Sequence, residues 1–224
     1  CIRDRISVGA DLRDENQVKQ MFADVESKLG PVDVLVANAG VWPQEDTPLR
    51  EMPLERWHET INVDLNTVFL CVREHLLMVE RHQLRDPSTV VIGSTAGCVG
   101  EAGHADYASA KSAMMYGLVQ SLKNEIARQT RFGRINAVCP GWTMTPMAKK
   151  FTGNQDGMIR ALQTIPMKKF ASPADIANAV TFLSSPKLAG HITGQTLFVS
   201  GGMEGRVLNS VDEIDLKAAM PQSP

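Results

Sequence analysis

Short, nearly unbroken apolar runs at residues 32–37, 89–92, 134–138 and 196–199 alternate with longer stretches whose apolar residues recur every three or four positions. This alternation constrains the fold most, because a strand without a polar face must be covered on both sides, as strands in parallel sheets are. Val18, Met21, Phe22, Val25 and Leu29 form one amphipathic helix ended by Gly30-Pro31. Trp57, Ile61, Leu65, Val68, Phe69, Val72, Leu76 and Val79 keep helical period from 54 to about 80, and further helices are predicted around 106–128 and 173–183. Residues 5–10 alternate enough to predict one more strand, followed by a turn and helix cap at 11–15. Sequential units of this kind predict an α/β fold with a doubly wound, mostly parallel, Rossmann-like sheet. It would occupy residues 1–203, with 204–224 a polar C-terminal extension that is weakly helical near 211–220.

Composition narrows the partners. The 224 residues are 43% hydrophobic, enough for one buried core, and 23 Lys+Arg against 25 Asp+Glu leave a net charge of −2, so nothing draws the chain to nucleic acid or to an anionic membrane. No apolar run approaches the roughly 20 residues that span a bilayer, and residues 1–5 lack the apolar centre of a secretory signal, so a cytoplasmic location is expected. Cys1, Cys71, Cys98 and Cys139 lie far apart with no CxxC pair, which fits reduced thiols. The five histidines show no ligand spacing, so no metal is expected.

The residues with the sharpest chemical meaning are Ser94, Tyr107 and Lys111. A Tyr and a Lys four apart on a helix share a face, so an ammonium can favour the phenolate and bring its pKa from about 10 towards working range. Ser94 follows a buried strand, at the sheet edge where such folds place ligands, and can hold a substrate oxygen while Tyr107 exchanges its proton. Alone, a Tyr and a Lys at this spacing arise often by chance and mark a half-buried Tyr beside a solvated Lys. The weight comes from the motifs around them.

With Asn38-Ala39-Gly40 after an apolar strand, and Ser94 thirteen positions before Tyr107, the chain resembles the short-chain dehydrogenase/reductase family. Asp11 resembles that family's adenine-contacting acid, the segment Pro140-Gly141-Trp142-Thr143-Met144-Thr145 its Pro-Gly stretch leading to a nicotinamide-contacting Thr, and residues 194–202 its last strand and Gly-Gly end. The resemblance implies hydride transfer between NAD or NADP and a carbonyl or alcohol substrate. Tyr107 would be the acid/base, Lys111 would contact the nicotinamide ribose and lower the Tyr107 pKa, and Ser94 would orient the substrate. It also implies homodimers or homotetramers built on the helices at 54–80 and 106–128.

Two departures from the family pattern qualify this. Asp64 stands where a catalytic Asn helps hold a relay water; it can pair with Lys111, but its charge opposes phenolate, and the bland alternative is a surface carboxylate. The family's opening strand, Gly-rich TGxxxGxG turn, helix and second strand have no counterpart before Asp11, and dinucleotide affinity is expected to fall without that turn. Three arrangements remain open: a preceding segment absent from this chain, direct pairing of the 5–10 strand with the one near Val34, or a second copy filling the gap. A non-redox isomerase, dehydratase or cyclase, or a non-catalytic subunit, remains the alternative function. Met144, Met147, Phe151, Met158, Ile159, Leu162, Ile165 and Met167, with Trp42, suggest an apolar lid over a bulky substrate, or the cores of short lid helices.

Overall fold

The computed structural model describes residues 5–148 and 154–220. Four strands, β1 (Val34–Ala37), β2 (Ser88–Ile92), β3 (Arg134–Pro140) and β4 (Thr196–Val199), form one parallel sheet in the order β1-β2-β3-β4. Their bounds follow the four apolar runs closely. Helix α1 (Glu15–Leu29) starts at Asp14, whose side chain accepts from the N–H groups of Asn16 and Gln17, and stops at Gly30, whose φ of 86° a residue with a Cβ rarely adopts.

The long helix expected from residue 54 is α2 (Leu54–Ile61), a π-helical turn (Asn62–Asn66) and α3 (Thr67–His82). The next is built the same way, from α5 (Ala105–Ser112), a π-helical turn (Ala113–Leu118) and α6 (Val119–Gln129), after the short α4 (Ala96–Val99). π-turns in α-helices concentrate at functional sites.

Helices cover both faces of the sheet. On one face Val91, Ile135, Ala137 and Cys139 pack with Val68 and Val72 of α3 and with Met115, Val119, Leu122 and Ile126. On the other, Val90 and Val138 pack with Leu183 and Ala189 of α8 (Pro173–Ser184) and α9 (Pro186–Ala189). Covering a strand twice is what removes its polar face, so the unbroken apolar runs and the double winding are one fact seen twice. Among the described residues no helix is long and apolar enough to cross a membrane.

Residues 5–10 are not a strand, contrary to the sequence expectation: they run as irregular chain and do not pair with β1. Local alternation makes a strand only where a neighbouring ladder accepts its N–H and C=O groups. Among the described residues β1 pairs on one side only, and Val34 and Val36 are each 41% exposed. The C-terminal extension, in turn, packs onto the lid region. Leu208 and Asn209 N–H bond to the Gln163 carbonyl at the end of α7 (Gln155–Gln163), and α10 (Leu216–Ala219) buries Ala219 among Met158, Leu162, Ile165 and Phe170.

His75 of α3 is fully buried, with Nε2 2.9 Å from the Val32 carbonyl and Nδ1 2.9 Å from Thr89 Oγ1. Nε2–H donates to the Val32 carbonyl, and in the neutral ring Nδ1 accepts from the Thr89 hydroxyl. Burial pushes its pKa below the usual 6.5. Below about pH 6.5 the unfolded chain binds a proton that the folded chain refuses, so stability falls as pH drops through that window. In urea titrations His75→Gln should be less stable than the parent at pH 8 by about 1–3 kcal/mol, and the gap should narrow at pH 5. A gap that widens on acidification contradicts this account.

Candidate functional site

Three loops leaving the carboxyl ends of β1, β2 and β3 meet around a cavity of about 860 Å³. The first supplies Asn38, Ala39, Gly40, Val41 and Trp42; the second Ser94 and Glu101, with Tyr107 and Lys111 from α5; the third Pro140, Gly141, Trp142, Thr143 and Thr145. Every candidate site residue named from the sequence lines this cavity except Asp11. Asp11 is exposed and bonded to Arg13 at 2.8 Å, and the Arg13 hydrogen bonds hold its carboxyl down at about 2. It is committed locally, beside the start of α1.

Close packing holds the loops in place. A Cβ on Gly97 would come within 2.6 Å of Ser112 N, so α4 can lie against α5 only with glycine there, and one on Gly141 would come within 2.9 Å of Ser200. The Thr95 N–H donates to the Pro140 carbonyl at 3.0 Å, which carries the β2–β3 ladder up to the site. Thr143 donates to the Gly141 carbonyl at 3.0 Å and its strand-like bridge to Ala171 closes the third loop.

At the floor of the cavity Lys111 Nζ lies 3.3 Å from Asp64 Oδ1 and 3.3 Å from the Ile92 carbonyl, with both side chains buried. Asp64, presented by the first π-turn, also accepts from Val41 N–H at 3.2 Å. It is a buried ion-pair partner, not the surface carboxylate of the bland alternative. A Cβ on Gly40 would collide with the Asp64 carboxylate and come within 3.2 Å of Lys111 Nζ, so the glycine of Asn38-Ala39-Gly40 leaves the room the pair occupies. Burial pushes Asp64 up and Lys111 down, while their attraction opposes both shifts.

Tyr107 differs from the sequence expectation. Its phenol is pushed up, first by burial; a hydrogen bond with Ser94 opposes this, and the Asp64 and Glu101 carboxylates add to it. Lys111 Nζ sits 5.5 Å from the Tyr107 ring centroid, but its charge is matched at shorter range by Asp64, so the ammonium does not bring the phenol into base range. At neutral pH the site holds a protonated Tyr107 beside a hydroxyl, an acid ready to give a proton to an oxygen.

Sequence reasoning missed the clamp that holds Tyr107. Arg56 of α2 bonds Asp106 at 3.0 Å, the Glu45 carbonyl at 2.8 Å and the Gly103 carbonyl at 3.1 Å, and also meets Thr47; Thr60 adds a bond to Asp106 at 2.8 Å. Burial raises the Asp106 carboxyl, but these bonds outweigh it and hold it low. Asp106 lies 50 residues from Arg56 and 46 from Thr60, so no local pattern reveals their bonds. Glu101 and Met203 were missed too; Glu101, between Ser94 and Tyr107 in a glycine-punctuated loop, carried a positional signal. Of the expected lid, Met158, Leu162 and Ile165 are core residues packed with Phe170 and Ala219, Met144 packs on that cluster and Met167 is exposed. Phe151, the Met147 side chain and Cys1 lie outside the described residues.

The fit to a nicotinamide end can be judged from the floor. Asp64 Oδ2 is buried with no hydrogen-bond partner, and Lys111 has two acceptors for its three N–H donors among the described residues. With Gly40 they give an opening lined by a cation with one donor to spare, an open carboxylate oxygen and a bare backbone, which suits a ribose and a carboxamide.

The family profile described as Enoyl-(Acyl carrier protein) reductase matches residues 2–204. Relatives include a 3-oxoacyl-acyl-carrier-protein reductase of Staphylococcus epidermidis, 36% identical over 199 residues that cover 88% of this chain and 77% of the relative. The corresponding protein of Staphylococcus aureus is 35% identical over 200 residues, covering 89% and 77%, and that of Synechocystis sp. 34% over 200 residues, covering 88% and 75%.

In a Tyr116→Phe background Tyr107 is the sole tyrosine. There Asp64→Asn removes a charge that opposes phenolate and should move the tyrosinate absorbance titration to lower pH. A midpoint that stays put or rises would mean that Asp64 does not act on Tyr107.

Proposed function

Because the chain belongs to the short-chain dehydrogenase/reductase family, we propose that Ser94, Tyr107, Lys111 and Asp64 are the reaction centre of its nicotinamide-dependent reductase activity, working on a carbonyl compound held in the apolar cavity. The observation that carries this reading is the half-buried Tyr107, which lines the cavity together with Ser94 and lies one helical turn from the buried Lys111–Asp64 pair. A bound nicotinamide would supply the hydride.

The protein's part follows from its own groups. Ser94 Oγ and Tyr107 Oη converge on the carbonyl oxygen, and Tyr107 donates the proton as the carbon is reduced. Lys111 Nζ, 5.5 Å from the ring, then stabilises the phenolate left behind, and Asp64 keeps that ammonium charged. Held protonated, Tyr107 keeps its proton available through neutral and mildly alkaline pH, and the Lys111 ammonium near the ring eases its departure. Asn38, Ala39, Gly40, Pro140, Gly141, Thr143 and Thr145 would hold the cofactor, NAD or NADP, at its nicotinamide end, and Lys111 would also reach the ribose. Asp11, with its carboxylate already bonded to Arg13, would contact adenine only after giving up that pair.

The relatives' names specify 3-oxoacyl groups on an acyl carrier protein; for this chain the walls support a carbonyl substrate with an apolar body. Phe69, Leu77 and Tyr116 stand exposed on the long helices and support a homodimer or homotetramer.

The test is calorimetric titration of NADH and NADPH into the whole chain, followed by ketone reduction with whichever binds. Tyr107→Phe should keep the binding and lose about 100-fold or more in kcat/KM. Unchanged turnover in the folded variant, or no binding of either nucleotide, would overturn the assignment.

A further inference from the structure

Glu101 lines the same cavity as Ser94 and Tyr107; its charge adds to the upward push on the Tyr107 phenol, and what else it does in the cavity is set by its own surroundings. Its Oε1 accepts from Trp42 Nε1 at 3.2 Å, and the Trp42 ring meets Trp142 edge to face with centroids 6.5 Å apart. All three side chains line the cavity, so a carboxylate and two indole rings form one stretch of its wall. The Glu101 side chain keeps 27% of its surface open. Behind the wall His104, buried, stacks on Trp42 at 5.0 Å and gives its Nε2 to the Pro43 carbonyl at 2.9 Å.

The groups around Glu101 pull both ways. The His104 ring, whose Nδ1 is 3.8 Å from Oε1 and 3.6 Å from Asp46, and the Trp42 N–H favour the carboxylate, while Asp46 and Asp106 add negative potential. Burial outweighs the first two and pushes the Glu101 carboxyl up. A carboxylate held mostly out of water beside an indole is relieved by a positive charge brought against it, and indole rings attract the same charge through their π faces. An apolar body with a cationic end therefore matches this wall where a neutral or anionic one does not.

We propose that Glu101, with Trp42 and Trp142, is the specificity-determining wall of the site and selects carbonyl substrates that carry a quaternary or protonated amine on an apolar body. This rests on the reductase reading above and names its substrate class. Glu101→Gln is the informative variant, because the amide oxygen can still accept from Trp42 while the charge is gone.

The experiment uses acetophenone bearing a para-trimethylammonium group and its neutral para-tert-butyl isostere, which have the same shape and offer no donor to Glu101. Comparing the kcat/KM ratio of the two ketones between the parent and Glu101→Gln cancels their different intrinsic reactivities. The ratio should fall about tenfold in the variant, because any effect of the lost charge on Tyr107 is shared by both ketones and cancels. Calorimetry with phenyltrimethylammonium needs no hydride transfer, and the parent should bind it about tenfold more tightly than Glu101→Gln. Ketone reduction with an unchanged ratio would overturn the wall's role and leave the reductase standing. Tighter binding by the parent with no reduction of either ketone would overturn the reductase and leave the wall's affinity for cations standing. Equal binding by parent and variant would overturn the inference.

Discussion

The buried pair of Lys111 and Asp64 is the interaction on which the site depends. Two charges taken out of water together are costly, and removing one partner of such a pair costs about 3–5 kcal/mol because the other is left unmatched. The fold accommodates the pair with Gly40, which leaves it space, with Val41 N–H and the Ile92 carbonyl, which take up hydrogen bonds, and with a π-turn that aims Asp64 inward. The first loop and the end of β2 are thereby referred to one point of charge. The same pair bears on Tyr107, since an ammonium matched by a carboxylate does not offset the burial that raises the phenol.

The architecture was legible because it is a periodic property. Strands covered twice write unbroken apolar runs, and α1, α3 and α6 write helical period, so the four strands and the main helices can be read without knowing their neighbours. Residues 5–10 show the limit of that logic. Their alternation is as good as a short strand needs, but a strand exists only through a partner, and partners are set by topology.

The site was legible to the extent that it lies on short spacings. Tyr107 and Lys111 are one helical turn apart, and Asn38 to Gly40 follow a strand end. What was hidden depends on contacts between distant segments. Arg56 with Asp106, and Trp42 with Glu101, join residues 50 and 59 positions apart, and the direction of the Tyr107 shift depends on burial and on two carboxylates from other elements. The methionines misled for a related reason: a helix that packs on a neighbour shows the same apolar spacing as one that faces a ligand.

The chain's last described segment gives the third loop its backing. Asn209 Nδ2 bonds the carbonyls of Leu162 and Ile165, Phe170 N–H donates to the Ala219 carbonyl, and Trp142 and Met203 pack on the cluster that includes Ala219. The cavity wall at Trp142 and the tail thus pack on one cluster. Residues far from the chemistry thereby bear on the shape of the space the chemistry needs.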